Sequence, residues 1–359
     1  MEIIIVAPSL DPKDNVSGIS SVTQFIIDNN SQNHYIHFTQ GKKDNEKKGP
    51  FRVISIIKNF YLWIKILSEY PEALIHYNFP LSKASIIRDS IFIVYAYFKT
   101  HRIVIHLHGG NYLTSQSIPI YLNKILKYIF SLKIPFIVLS KSEKNIIQKK
   151  YKCENIYILP NCIDQKDSNN FSRSINKNNI LTIGYLGRIT KDKGMDYLLA
   201  ACIQMKKEGI PFLLKIAGKE ESPNEYIPKF YKALGTQFVY NNIVYGDTKN
   251  KFLKSLDIFI LPSFFEGLPM SLIESMSFGV VPITTNVGSI KDIIENKENG
   301  FFIKDHDIKS IVEKIKMLNE DRLLLYRISQ NAKSYIQKNL SPKNYINQLN
   351  AIYTCTHEN

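Results

Sequence analysis

Arginine is scarce in this chain. Of its 46 basic residues only seven are Arg: Arg52, Arg88, Arg102, Arg173, Arg188, Arg322 and Arg327. Proteins that read bases favour the bidentate Arg fork, and no helix-turn-helix, finger or RNP-type signature is present, so no nucleic-acid partner is expected. Cysteine is sparse too. Cys153, Cys162, Cys202 and Cys355 lie far apart without a CxxC pair, which argues against a zinc site and against a disulfide framework. Apolar runs such as Ile91–Phe98 fall well short of the roughly 18 residues a membrane-spanning helix needs. The opening MEIIIVAPSL has no basic segment before its apolar run and reads as a first strand, not a signal peptide. No GxGxxG follows that strand, which disfavours a NAD-dependent dehydrogenase. These absences together point to a cytoplasmic protein.

What is present is length, apolar content and positive charge. The 359 residues, 44% hydrophobic and 22% charged, suit about two domains at roughly 150 residues each. The formal net charge is +14, which makes a polyanionic partner worth testing. Because the surplus is mostly Lys, a point charge, anionic lipid headgroups suit it better than base edges.

Short β-branched and aromatic runs alternate with longer amphipathic stretches, the pattern of an α/β protein with parallel sheets. The strands expected in the first half are Glu2–Ala7, Tyr35–Thr39, Ala73–Tyr77, Arg102–Leu107, Phe136–Leu139 and Asn155–Leu159. Those expected in the second half are Leu181–Leu186, Phe212–Ala217, Ile243–Tyr245, Ile258–Leu261, Val281–Thr285 and Gly300–Ile303. The Asn- and Ser-rich stretch Asp164–Asn179 marks a seam, and Gly41–Gly49 (GKKDNEKKG) reads as a surface loop. The expected organisation is a first doubly wound domain over 1–165, a linker over 166–179 and a second such domain over 180–340. A helix over 341–359 is expected to pack back on the first domain. Ligands of such folds sit beyond the carboxyl ends of the strands, so two facing sheets would place a site in the cleft between them.

Two segments carry chemistry. GRITKDKG, Gly187–Gly194, follows the strand ILTIGYL; its glycines permit close backbone approach, and Arg188 and Lys193 bring positive charge to the start of a helix. Those are the parts of a phosphate site, although a solvated loop with incidental Lys residues would read the same way. LPSFFEGLPMSLIESMSFG, Leu261–Gly279, carries Glu266 in a loop and Glu274 one to two helical turns into the following helix. The two carboxylates can therefore reach different parts of one ligand, or be a surface acid and a helix-face acid. The apolar neighbours Leu272, Ile273 and Met276 make a purely solvated Glu274 the weaker reading.

The ordered set of GRITKDKG, the pair Glu266 and Glu274, PNCID, GDT and TTNVGSIKDIIENKENGFFI resembles retaining GT-B glycosyltransferases of family 4, of the bacterial polysaccharide type. The resemblance implies two facing Rossmann-like domains and transfer of a hexose or N-acetylhexosamine from a nucleotide-sugar donor, with UDP favoured over GDP. In that frame Arg188 and Lys193 hold the donor diphosphate with Gly187, Glu274 binds the ribose, and Glu266 lies near the transferred sugar. Gly267 and Leu268 offer backbone amides. Gly18, in Ser17-Gly18-Ile19, closes on the diphosphate from the first domain. His108, in HLHGG, contacts the sugar or the acceptor, and the segments at Gly218 and at Tyr245 and Asp247 form the base pocket. Three departures from the pattern stand out: Pro269 where many relatives have Gly, Cys162 in PNCID, and a single Gly18 in place of a Gly pair.

No DxD pair stands beside the donor motifs, so metal-independent catalysis with no cofactor is expected. Bacterial relatives commonly extend lipid-linked saccharides for capsule, O-antigen or exopolysaccharide, so a polyprenyl-diphosphate-linked acceptor is expected. Phe51–Ser68 and Tyr121–Lys133 are either basic amphipathic helices at an anionic membrane surface or ordinary helices covering a sheet. A GT-B sugar-nucleotide epimerase and a non-catalytic accessory subunit are the alternative readings.

Overall fold

The computed structural model describes residues 1–15, 17–41, 51–115, 117–174, 180–304 and 307–355. The expected loop Gly41–Gly49 lies outside these residues beyond Gly41, as do 175–179 of the expected linker. The chain divides into two compact units, Met1–Cys162 with Pro342–Asn359, and Ile163–Ser341.

The first unit is built on six parallel strands: β1 (Glu2–Ala7), β2 (His34–Thr39), β3 (Leu74–Phe79), β4 (Ile103–Leu107), β5 (Phe136–Val138) and β6 (Ile156–Ile158), in the order β2-β1-β3-β4-β5-β6. Both faces are covered by helices, which is why β1, β3 and β4 read as almost unbroken apolar runs. The strand order reverses between β1 and β3, and loops leaving such a switch point are where doubly wound folds bind ligands. Trp63, on the helix Phe51–Glu69, is fully buried against Phe38 and Phe92 and donates its indole N–H to the Phe92 carbonyl at 3.1 Å. One face of that helix is therefore core. Its opposite face leaves Ile54, Ile57 and Tyr61 more than 60% exposed. The helix Pro342–Cys355 belongs to the first unit, where Tyr345 meets Phe25 edge to face at 5.5 Å and the Asn350 amide donates to Asn30.

The second unit holds β7 (Leu181–Leu186), β8 (Phe212–Ala217), β9 (Phe238–Tyr240), β10 (Ile258–Leu261), β11 (Val281–Thr285) and β12 (Phe301–Ile303), also parallel, in the order β9-β8-β7-β10-β11-β12. Here the reversal falls between β7 and β10.

One expectation is corrected. The third strand is Phe238–Tyr240 and not Ile243–Tyr245. Phe238 is buried on Phe230, with ring centroids 5.2 Å apart, whereas Ile243 and Tyr245 are 39% and 56% exposed. Asn242, in the left-handed region, turns the chain away, and its carbonyl accepts the Gly218 N–H at 2.7 Å. The described residues around the start of the expected linker make contacts within the second unit. Gln165 donates to the Leu340 carbonyl at 2.6 Å, Lys166–Asn169 form a short helix, and Asn250 donates to Asp167 at 2.6 Å. The polar side chains that marked it as a linker are used there in hydrogen bonds.

Candidate functional site

The switch point of the second unit brings the two chemistry-bearing segments together. Gly187–Gly194 leaves the carboxyl end of β7, and Pro262–Pro269 leaves the carboxyl end of its neighbour β10. The Phe264 N–H donates to the Asp192 carbonyl at 3.0 Å, locking loop to loop. Across this seam the Lys193 ammonium donates to Glu266 Oε1 at 2.6 Å, with side-chain exposures of 27% and 9%. An ammonium has three protons and a carboxylate several lone pairs, so both partners keep capacity for a ligand. Arg188 is exposed, and its backbone carbonyl accepts the buried Tyr185 hydroxyl at 2.5 Å. Burial first, and the nearby Glu266 carboxylate second, push the Tyr185 phenol well above its usual range, so it stays a donor.

Close backbone approach shapes this seam. Gly288, at φ +56°, lies against the Glu266 loop: a Cβ there would sit 1.9 Å from the Glu266 carbonyl oxygen, and the next N–H, of Ser289, donates to the Gly267 carbonyl at 3.0 Å. A Cβ on Gly218 would sit 1.8 Å from the Gly187 carbonyl oxygen. Residues from the ends of β7, β8, β10 and β11 therefore meet at backbone distance. Leu268 is buried behind the loop, and no side chain caps the helix Met270–Ser277 that follows Pro269.

Glu274 lies on that helix and accepts the Lys249 ammonium at 2.7 Å through Oε1. Lys249 belongs to the helix Gly246–Lys254, whose start is Tyr245 and Asp247; Tyr245 is exposed, and its N–H and carbonyl bracket the Thr248 hydroxyl. The segment expected to form the base pocket and the acid expected to bind the ribose are thus joined by one ion pair.

In the first unit, Gly18 opens the helix Gly18–Asn29, whose cap Ser17 accepts the Ser20 N–H and lies 3.0 Å from the Asn15 amide. His108 follows β4. Its Nε2 lies 2.6 Å from Asn78 Oδ1, while the Asn78 amide donates to the Val6 carbonyl and to Thr23. The Asn78 oxygen is therefore the acceptor, His108 Nε2 carries the proton, and Nδ1 is left as an acceptor. Behind it, His106 packs ring to ring at 4.1 Å, His106 Nδ1 lies 3.3 Å from His76 Nε2, and His76 Nδ1 lies 2.6 Å from the Tyr353 hydroxyl. Burial pulls His76 down to about 4 and His108 to about 3, and holds His106 well below its ordinary value. All three imidazoles are neutral at pH 7.

Sequence reading missed Lys249, Asn78, His76 and Tyr353 as partners. Lys249 is 25 residues from Glu274, and Tyr353 is 277 residues from His76, so no local spacing could signal either pair. Among the described residues no group of three or more His, Cys, Asp or Glu is arranged to hold a metal ion.

These features can be set beside known proteins. The chain aligns over 99% of its length, at a TM-score of 0.81, with 99% of sucrose-phosphate synthase from Thermosynechococcus elongatus, at 15% identity; the fold is that of GT-B glycosyltransferases, two Rossmann-like domains. Residues 165–335 match the family model described as Glycosyl transferases group 1. An uncharacterized glycosyltransferase of Haemophilus influenzae is 31% identical over 198 residues, 55% of each chain. The capsular polysaccharide biosynthesis glycosyltransferase CapM of Staphylococcus aureus is 29% identical over 191 residues, 53% of this chain and 50% of that one. The chain spans about half the length of the curated relatives it matches.

Proposed function

We propose that the protein is a retaining glycosyltransferase that moves a hexose or N-acetylhexosamine from a nucleoside diphosphate sugar, a UDP-sugar, to a lipid-linked saccharide. The observation that carries this reading is the Lys193–Glu266 pair at 2.6 Å beside Arg188 at the switch point of the second unit, within the segment that matches the family model. The capsular polysaccharide role in the name of the CapM relative supports a saccharide acceptor.

In this reading the bond from the anomeric carbon to the diphosphate oxygen breaks as the acceptor oxygen attacks from the same face. The acceptor proton passes to the departing diphosphate. Charge building on the β-phosphate is neutralised by Arg188 and Lys193, whose fixed positions cost no reorganisation during the reaction. Glu266 positions the sugar and stabilises its developing positive charge, Glu274 takes the ribose, and His108, neutral with Nδ1 as acceptor, receives a hydroxyl hydrogen bond. Each carboxylate keeps one oxygen on its lysine and has the other for the ligand. The neutralising groups in this reading being cationic side chains, EDTA should leave turnover unchanged. Arg188→Ala and Lys193→Ala should each lower transfer about a hundredfold or more; near-normal turnover in both would sink the assignment. A panel of nucleotide sugars, read by nucleoside diphosphate release with and without acceptor, identifies the donor, and release that needs no acceptor would point to an epimerase or hydrolase.

The lipid-linked acceptor is supported by the first unit's surface. Ile54, Ile57 and Tyr61 on Phe51–Glu69, Ile91 and Phe98 on Lys83–Phe98, and Ile120 on Ile120–Ser131 are all exposed. The basic residues Lys58, Lys65, Lys124 and Lys127 are exposed on the first and third of these helices. No helix among the described residues is long and apolar enough to cross a membrane. Exposed apolar side chains interspersed with exposed lysines suit lying on anionic lipid. Flotation with anionic liposomes should capture the chain, less so at high salt and less so after Ile54→Glu with Ile57→Glu. Absence of salt-sensitive binding removes the membrane claim.

A further inference from the structure

Thr182, near the start of β7, and Asp257, just before β10, lie at the amino ends of the two switch-point strands, the end opposite the loops that carry Arg188 and Glu266. A cavity of about 260 Å³ sits there, lined among others by Arg173, Thr182, Lys254, Asp257, Arg322 and Ser329. Its described lining has three cations and one carboxylate, and that carboxylate belongs to the frame. Asp257 Oδ2 accepts the Thr182 N–H at 2.9 Å, and Oδ1 lies 3.6 Å from the Arg173 guanidinium. Arg173 is fixed on its other side by the Phe278 carbonyl at 3.3 Å and lies 5.5 Å over the Phe171 ring, while its Nε is buried without a hydrogen-bond partner among the described residues. The Lys254 ammonium sits 5.7 Å from the Phe171 and Phe278 ring centres.

Aromatic rings and carbonyls thus hold the cations in place. Burial draws both Arg173 and Arg322 below the ordinary guanidinium range, the mark of charge stripped of part of its water. Desolvated positive charge is costly unless it is compensated; Arg322 donates to the Asn319 carbonyl at 3.1 Å and to Asn319 Oδ1 at 2.7 Å, neutral acceptors that leave the three cations of the described lining with a single carboxylate. The guanidinium protons left over from these bonds, with the Lys254 ammonium, can donate to phosphate oxygens. The volume, somewhat below the roughly 300 Å³ at which sites for drug-sized ligands begin, restricts the occupant to something small.

We propose that this cavity is a second anion site, separate from the donor loops, that takes inorganic phosphate or a small organic phosphate between Arg173, Lys254 and Arg322. It stands independently of the donor assignment.

The test uses the full chain carrying Arg188→Ala, so that phosphate at the donor loops does not contribute. Calorimetric titrations with inorganic phosphate and with glycerol 3-phosphate are run at constant ionic strength held with sodium chloride. Saturable binding is expected, and Arg322→Gln and Lys254→Gln should each weaken it about tenfold, with the melting temperature of each variant recorded so that the loss is read on folded protein. Arg173 is left intact because its packing on Phe171 makes its loss a folding question. Tighter glycerol 3-phosphate binding supports the organic form, and equal binding supports the inorganic one. No saturable binding, an equal response to chloride, or identical titrations in both variants would overturn the proposal.

Discussion

The two units place their chemistry-bearing residues at equivalent points, beyond the carboxyl ends of strands near a switch in strand order, but hold them by opposite means. In the second unit the groups are ionised and paired. Lys193 with Glu266 and Lys249 with Glu274 are part-exposed bridges on loops packed backbone to backbone at Gly288 and Gly218. In the first unit the groups are neutral and buried: His76, His106 and His108 are joined through rings and hydrogen bonds to Asn78 and Tyr353. On the proposed function the second unit meets a diphosphate, which calls for standing charge, and pairing keeps that charge at a tolerable cost. On the same reading the first unit orients hydroxyls, which calls for neutral acceptors, and burial supplies them by forbidding the proton.

The largest break in this contrast should come from Gly288→Ala. A Cβ 1.9 Å from the Glu266 carbonyl, at φ +56°, forces the loop aside, and left-handed strain alone costs about 1–3 kcal/mol. Transfer should fall at least tenfold through the displaced Glu266. Gly209→Ala is the control: its φ is +70° with nothing within 4 Å, so it should lose stability by strain and keep its activity. Equal loss of activity in the two variants would refute the close-packing account.

Acid should act on the first unit. His76 titrates near 4 in the folded chain against an ordinary 6.5. Between those values the unfolded chain binds a proton that the folded chain refuses, so stability falls as pH drops from 7 towards 4 and levels off below. From pH 7 to 5 the loss from His76 is about 2 kcal/mol, with His106 and His108 adding to it in the same direction. Urea unfolding at the two pH values measures it. The loss should shrink in His76→Gln, and an unchanged loss would assign the acid sensitivity elsewhere.

The smallest effect belongs to Tyr353→Phe, which removes the 2.6 Å hydrogen bond to His76 and leaves the ring packed. About 1 kcal/mol of stability should go, with nucleotide binding at the second unit unaffected. A change in nucleotide affinity would show that the two sites are not separately built.

Much of this was legible in the residues, for identifiable reasons. EIIIVA and LTIGYL announce strands because a parallel strand covered on both faces needs an unbroken apolar run. VYNNIVY misled for the same kind of reason: β-branched and aromatic residues at 243–245 satisfy a propensity rule, but Phe238 has the partner Phe230 to bury against, and Ile243 has no such cover. Asp164–Asn179 read as a seam because polarity alone cannot distinguish side chains facing water from side chains such as Gln165, spent on another element's carbonyls.

Local pattern sufficed for the alternation of strand and helix, the loop after β7 with Arg188 and Lys193, and the two acids Glu266 and Glu274, because these properties reside within a few neighbouring positions. Which lysine meets which acid, why His108 presents Nδ1, and that Arg173, Lys254 and Arg322 surround one cavity were decided by tertiary structure. A hydrogen bond or ion pair reaches only about 3 Å, and the residues concerned are brought within that reach by strand order and helix packing, which no spacing along the chain encodes.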